Sequence, residues 1–294
     1  MVLQWLGEAA EQRHAFARHV LHDVRVRQEQ LDELFALLNA VKAGAVSQTE
    51  ARARLERSPP GGWGAMDPES KAGLAIDVGE RTLALAPRVV HQVAPGWAPV
   101  CAPRFLTDGG RESLTALRPH DGQGVQLPRR QATGPAPTPR WMPLPALRYA
   151  QVVKAVRRRR LVRVRHRVGS GTLEAVQQGL AACGGQSNTA FIERVHLSMR
   201  QHGAAVGRRV STLCQGEDGV RQQRALSQTS DNLCVPHASL RQPLPQPKPT
   251  NGRGSAKLWP PQPPAMAAGL PQHVWPLREV LRLRLPPWPQ PAGG

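Results

Sequence analysis

Between residues 122 and 173 the chain holds no Asp or Glu but 12 Lys and Arg, including the run Arg157-Arg158-Arg159-Arg160. Charge of one sign repels itself and is costly to bury, so this segment must keep its basic groups at a surface. Residues 152–156 and 161–168 interleave Val and Leu with basic residues, which predicts a basic hairpin. The whole chain shares the bias, with 39 Lys+Arg against 21 Asp+Glu, a net charge of +18 and a pI near 11.4. Only five of these are Lys, so 39 − 5 = 34 are Arg, whose planar fork fits phosphate oxygens. A polyanionic partner is expected, because each phosphate neutralised releases condensed counterions.

Other classes are disfavoured. The apolar runs fall far short of the roughly 18–20 residues of a membrane span, and no basic-apolar-small leader opens the chain. Four Cys at 101, 183, 214 and 234 form no Cys-x-x-Cys pair, which is neither a disulfide framework nor a zinc ribbon. Aromatics are only 4%, so a core must come mostly from Val, Leu, Ile and Ala.

Apolar spacing predicts a helix over 2–22. Residues 24–38 fit either a strand or a continued helix. Ser47 with Glu50 makes a capping box within 40–57, and Pro59-Pro60-Gly61-Gly62 ends that segment. Residues 65–78 predict a hairpin through an Asp67-Pro68 turn, 81–93 a helix bearing Pro87, 100–110 a buried strand, and 111–118 a helix. Two more helices are expected over 172–183 and 188–206. Residues 241–294 hold 14 of the 29 Pro and predict an extended or disordered tail with one short helix near 277–283. The order implies an α/β domain.

Three acids stand out. Asp108 ends the strand-like RFLTDG and precedes Gly109-Gly110, the place where an α/β sheet exposes its functional edge. Asp32 lies in QLDELF, and Glu193 in the helix-like NTAFIERVHLSMRQH with Arg194 beside it and Arg200 at i+7. A carboxylate with Arg beside it suits a site for both metal and phosphate; an ordinary surface ion pair is the plainer alternative.

The strings MDPESKAGLAIDVGERTLA, TDG at 107–109 and NTAFIERVHLSMRQH with GAAVGRR together resemble bacterial transposases of the insertion sequence one family, over roughly residues 20–240. The resemblance implies a DDE catalytic domain of ribonuclease-H-like fold, a mixed sheet flanked by helices, spanning 24–240. In it 122–173 is a basic insertion, 1–23 a helical remnant of an N-terminal DNA-binding module, and 241–294 a Pro-rich tail. It implies metal-dependent strand cleavage and transfer of an insertion sequence. Asp32, Asp108 and Glu193 would be the catalytic acids and the ligands of two Mg²⁺ ions, with Mn²⁺ able to substitute. Such ions clamp the entering and leaving oxygens of an in-line displacement. Asp67 is the reserve for Asp32, and Asp77 a turn or edge residue. Arg157, Arg158, Arg159, Arg160, Arg163, Arg165, Arg167, Arg194 and Arg200 would contact DNA, both element ends and target, in a homo-oligomer within a prokaryotic cytoplasm and nucleoid.

The chain also departs from the family. It has Pro59-Pro60-Gly61-Gly62-Trp63-Gly64 where relatives carry an aromatic-rich strand, Gly110-Arg111-Glu112-Ser113 where they carry aromatics, and His196 where they have Asn. Only VLQWLGEAAEQ resembles the recognition module. An alternative is therefore a non-catalytic basic nucleic-acid-binding remnant of a transposase. His19 and His22 at i, i+3 lack a partner ligand and are expected to be plain surface histidines, and Cys234-x-x-His237, half a zinc site, is expected to be structural. Trp259, Trp275 and Trp288 either dock back on the domain or mark its end.

Overall fold

The computed structural model describes residues 2–35, 60–80, 85–98, 103–108, 117, 122–126, 138, 140–143, 147–158, 160–182, 189–202, 217–250, 252 and 254–282. Helix α1 (Val2–Val20) leads into β1 (Gln28–Phe35), β2 (Pro60–Met66) and β3 (Gly73–Glu80). Then come α2 (Leu85–Val93), β4 (Arg104–Thr107), β5 (Gly122–Val125), β6 (Arg140–Pro143), β7 (Arg148–Arg157) and β8 (Arg160–Ser170). Helices α3 (Leu173–Ala182), α4 (Ala190–His202), α5 (Glu217–Leu233), α6 (Pro264–Ala267) and α7 (Leu277–Arg282) follow. The capping-box helix over 40–57, most of the helix over 111–118, and Cys101, Cys183, Cys214 and Trp288 lie outside the described residues.

One six-stranded mixed sheet runs in the order β3-β2-β1-β4-β7-β8. β1, β4 and β7 are parallel neighbours; β2, β3 and β8 pair antiparallel. β5 and β6 make a separate ribbon. Residues 24–38, open between helix and strand in the sequence, contain a strand. Within the basic segment 122–173, β7 and β8 belong to the main sheet and Tyr149, Ala150 and Val152 are buried.

Side chains alternate across a pleated sheet, and here each side has its own cover. Leu31, Ala65, Ala75, Phe105 and Tyr149 face α2, whose Leu85, Ala86, Val89, Val90 and Val93 form an apolar stripe at helical spacing. Pro87 sits in the first turn of α2, where a missing N–H costs nothing. On the opposite side Leu106 and Ala150 pack on Val176 of α3. Thr172 caps that helix, its Oγ1 accepting from the Ala175 N–H at 3.1 Å.

The Pro-rich segment adds to a second core. Ala265 and Val280 are buried with Phe16 of α1 and Leu233 of α5, and Trp275 packs on Phe16 with ring centroids 6.0 Å apart. Trp259 stays exposed. Arg13 of α1 is buried under this layer. Its guanidinium lies 5.1 Å over the Phe16 ring and donates to the Val280 carbonyl, and burial lowers its pKa from the ordinary value. Asn232 of α5 clips the start of β3, accepting from the Gly73 N–H at 2.9 Å and donating to its carbonyl at 2.8 Å.

Candidate nucleic-acid interface

The surroundings of the three acids decide what they can do. On β1 the pleat turns Gln30 and Asp32 away from Leu31 and the α2 core. The Gln30 Oε1 accepts from the Ile192 N–H at 3.2 Å, which lays α4 across this side of the sheet. One turn on, His196 Nδ1 sits 3.2 Å from Asp32 Oδ2, and both side chains are largely buried. Gly64 faces Asp32 on β2, and a Cβ there would lie 3.2 Å from His196 Nε2. The glycine makes room for the imidazole.

Asp108 follows the last residue of β4 and is exposed. Since Leu31↔Thr107 is the last parallel pair of β1 with β4, Asp32 and Asp108 each follow that pair, Asp32 in mid-strand of β1 and Asp108 just past the end of β4. Glu193 lies one turn before His196 on α4. It accepts from Thr189 Oγ1 at 2.9 Å and from Lys154 Nζ of β7, which also donates to Thr189 Oγ1 at 3.0 Å. Asp67 and Asp77 are structural. Asp67 accepts from Ser70 and Glu69 in the β2–β3 turn, and Asp77 accepts from Arg88 and Gln92 of α2.

This arrangement brings the three acids to one side of the sheet but does not gather them. Among the described residues no three His, Cys, Asp or Glu side chains converge to hold a metal ion. An imidazole stands at Asp32 and an ammonium at Glu193, each where an ion would need an open oxygen. The donor set as arranged does not fit the two Mg²⁺ ions that the resemblance implies.

The basic hairpin forms, longer than its sequence pattern outlined. β7 and β8 pair from Tyr149↔Ser170 to Arg157↔Arg160, and Arg158 turns the chain at φ 50. Two irregularities set its faces. At the base, Gly169 is the extra residue opposite Tyr149 and Ala150, and a Cβ there would lie 2.3 Å from Tyr149 Cδ1. Near the tip the register shifts between Ala155↔Arg163 and Val156↔Leu161, so Val162 is extra.

The second bulge decides the chemistry. Arg163, Arg165 and Arg167 alternate onto one side of β8, and strict alternation would send Arg160 to the other. The extra residue restores Arg160 to their side, opposite Arg157. Arg157, Arg160, Arg163, Arg165 and Arg167 thus share one side of the ribbon, and all are exposed. The other side carries Lys154, His166, Val164 and Leu161.

No protein-family model, curated protein or solved structure matches this chain. Its chemistry therefore rests on its own residues. β8 is the end strand of the sheet, and Val153, Leu161, Val162 and Val164 are exposed along with the arginines; the outer hairpin touches α4 through Lys154, and its arginine side faces solvent. Arg194 is exposed on α4, Arg158 is exposed in the turn, and Arg159 and the Arg200 side chain lie outside the described residues.

Sequence reasoning marked the arginines but not their common side, which depends on a bulge without a residue signature. It also passed over Lys154 and Gly64. Lys154 is the one Lys in the acid-free segment, a signal that would have singled it out. His196 was visible as a departure from the family, without the partner that explains it.

Proposed function

We propose that this protein binds nucleic acid through the exposed arginine side of the β7–β8 hairpin. The observation that carries the reading is the placement of Arg157, Arg160, Arg163, Arg165 and Arg167 on one solvent-facing side of a projecting ribbon. Arg pairs bidentately with phosphate oxygens, and five such forks with no acid between them form a dense field for a polyanion. The mixed sheet, antiparallel through β1–β3 and parallel through β1, β4 and β7, supports a ribonuclease-H-like, transposase-derived scaffold, with DNA as the partner.

The test is equilibrium binding of a labelled DNA duplex in EDTA. The intact chain is expected to bind with affinity falling steeply as salt rises. Combined Arg163→Ala, Arg165→Ala and Arg167→Ala should weaken binding at least tenfold. Binding unchanged in that variant, with its fold intact, refutes the proposal.

One observation favours a second, catalytic reading. Asp32 and Asp108 each follow the last parallel pair of β1 with β4, Asp108 at the C-terminal end of β4, with Glu193 on the helix laid across the Gln30 and Asp32 side, near the edge where open α/β sheets place their sites. The transposase activity implied by the resemblance would then be strand cleavage and transfer, and it would require His196 to leave Asp32 and Lys154 to leave Glu193, since the side chains as arranged do not fit the ions. Nicking of supercoiled plasmid with Mg²⁺ or Mn²⁺, abolished by Glu193→Gln, supports that reading. No nicking by folded protein leaves a binding protein alone.

A further inference from the structure

We infer that the β7–β8 hairpin enters the major groove of duplex DNA with its arginine side toward the base edges. The inference rests on the nucleic-acid reading above and adds the form of the partner and the mode of docking.

Dimensions support it. Two paired strands are about 4.8 Å apart, and the major groove, about 12 Å wide, admits a two-stranded ribbon. From Arg167 to the Arg160–Arg157 pair the ribbon runs roughly 20 Å at about 3.4 Å per residue. That length matches about six base pairs at roughly 3.4 Å rise. Arg163, Arg165 and Arg167 recur every second residue, so their heads are spaced at roughly two base-pair steps. Val153 and Ala155, which oppose Arg165 and Arg163, are small and leave the forks room to reach guanine O6 and N7. Bidentate Arg–guanine contact is the commonest specific pairing in that groove.

The other occupants fit less well. Single strands are held by stacking on aromatic rings, and no Phe, Tyr or Trp occurs between residues 150 and 170. A-form RNA has a major groove too deep and narrow for side chains to read. An anionic bilayer would want the opposite side of the ribbon apolar. There Leu161 and Val164 are exposed, but Lys154 and His166 interrupt them and Glu193 sits on Lys154.

The experiment uses the full chain in EDTA with a 20-base-pair duplex containing guanines on both strands. Combined Arg163→Lys, Arg165→Lys and Arg167→Lys keeps the charge and removes the fork. It should weaken binding about tenfold, and methylating guanine N7 should weaken the intact chain to a similar degree. Leu161→Thr with Val164→Thr should bind as the wild type does, and circular dichroism should superimpose for all variants. If the Lys variant and the methylated duplex bind normally while the Ala variant does not, phosphate contact alone is at work; the groove inference falls and the proposed function stands. If an RNA duplex binds as tightly as DNA, the groove inference also falls. Phosphatidylserine vesicles bound more tightly than duplex, with loss in Leu161→Thr and Val164→Thr, would make the apolar side the docking side and overturn it. No duplex binding by the wild type sinks both.

Discussion

Replacing Gly169 by Ala should strike the base of the arginine ribbon. The added Cβ would lie 2.3 Å from Tyr149 Cδ1 and 2.7 Å from Cε1, against an ordinary carbon contact of about 3.5–4.0 Å. The ring has nowhere to go. Tyr149 is 1% exposed, and its hydroxyl is fixed 2.9 Å from Thr107 Oγ1. Either the ring shifts by more than about 1 Å and loses that hydrogen bond, or the bulge opens. Overpacking costs about 1–3 kcal/mol, and the lost hydrogen bond about 1 kcal/mol more. At roughly 2–4 °C per kcal/mol, Tm should fall by about 4 °C or more. Thermal denaturation followed by circular dichroism measures it. In a double-mutant cycle with Tyr149→Ala, which removes the clashing ring atoms, Gly169→Ala should cost less than it does in the wild type. Gly169→Ala melting within about 1 °C of wild type would refute the packing argument.

Two further outcomes follow from other contacts. Asn232→Ala leaves the Gly73 N–H without its acceptor in a buried place, and should cost about 1–3 kcal/mol, read as a fall in urea midpoint without a change in slope. His237 is held below its ordinary pKa by burial, with Lys71 and Arg194 adding to it, and its Nδ1 accepts from the Ser239 N–H. The unfolded chain then binds the extra proton first, so stability should decline as pH falls through about 6.5. His237→Gln should flatten Tm between pH 7.5 and 5.5, a window set around the ordinary histidine value; an unchanged pH dependence contradicts the assignment.

Much of the sheet was legible because its strands carry distinct patterns. Leu74, Ile76 and Val78 alternate in β3, and Val interleaved with Arg outlined β7 and β8. The Asp67-Pro68 turn announced itself, with Asp67 accepting from the N–H groups that follow it. β2 was harder. Pro60-Gly61-Gly62-Trp63-Gly64 has poor strand propensity, and it forms a strand because β1 and β3 pair with it on both sides. One of its glycines is also needed to seat His196. The Pro-rich tail hid its packing for a related reason, since Ala265, Trp275 and Val280 are too sparse to show a period and meet Phe16 only in three dimensions. As for the site, the acids were visible by context. Their partners were not, because Lys154 and Glu193 are 39 residues apart in sequence, and His196 meets Asp32 only through the packing of α4 on β1.

The most direct test of the account compares two losses of equal charge. Combined Arg163→Ala, Arg165→Ala and Arg167→Ala removes three cations from the ribbon. Combined Arg241→Ala, Arg278→Ala and Arg282→Ala removes three exposed cations from the C-terminal region. Duplex affinity is measured for both against wild type across a salt series. The account predicts that the ribbon variant binds at least tenfold more weakly, its log–log salt slope shallower by up to about 2.7, while the C-terminal variant stays near wild type. Equal losses in both would show that total charge, and no particular surface, holds the nucleic acid, and would contradict the account.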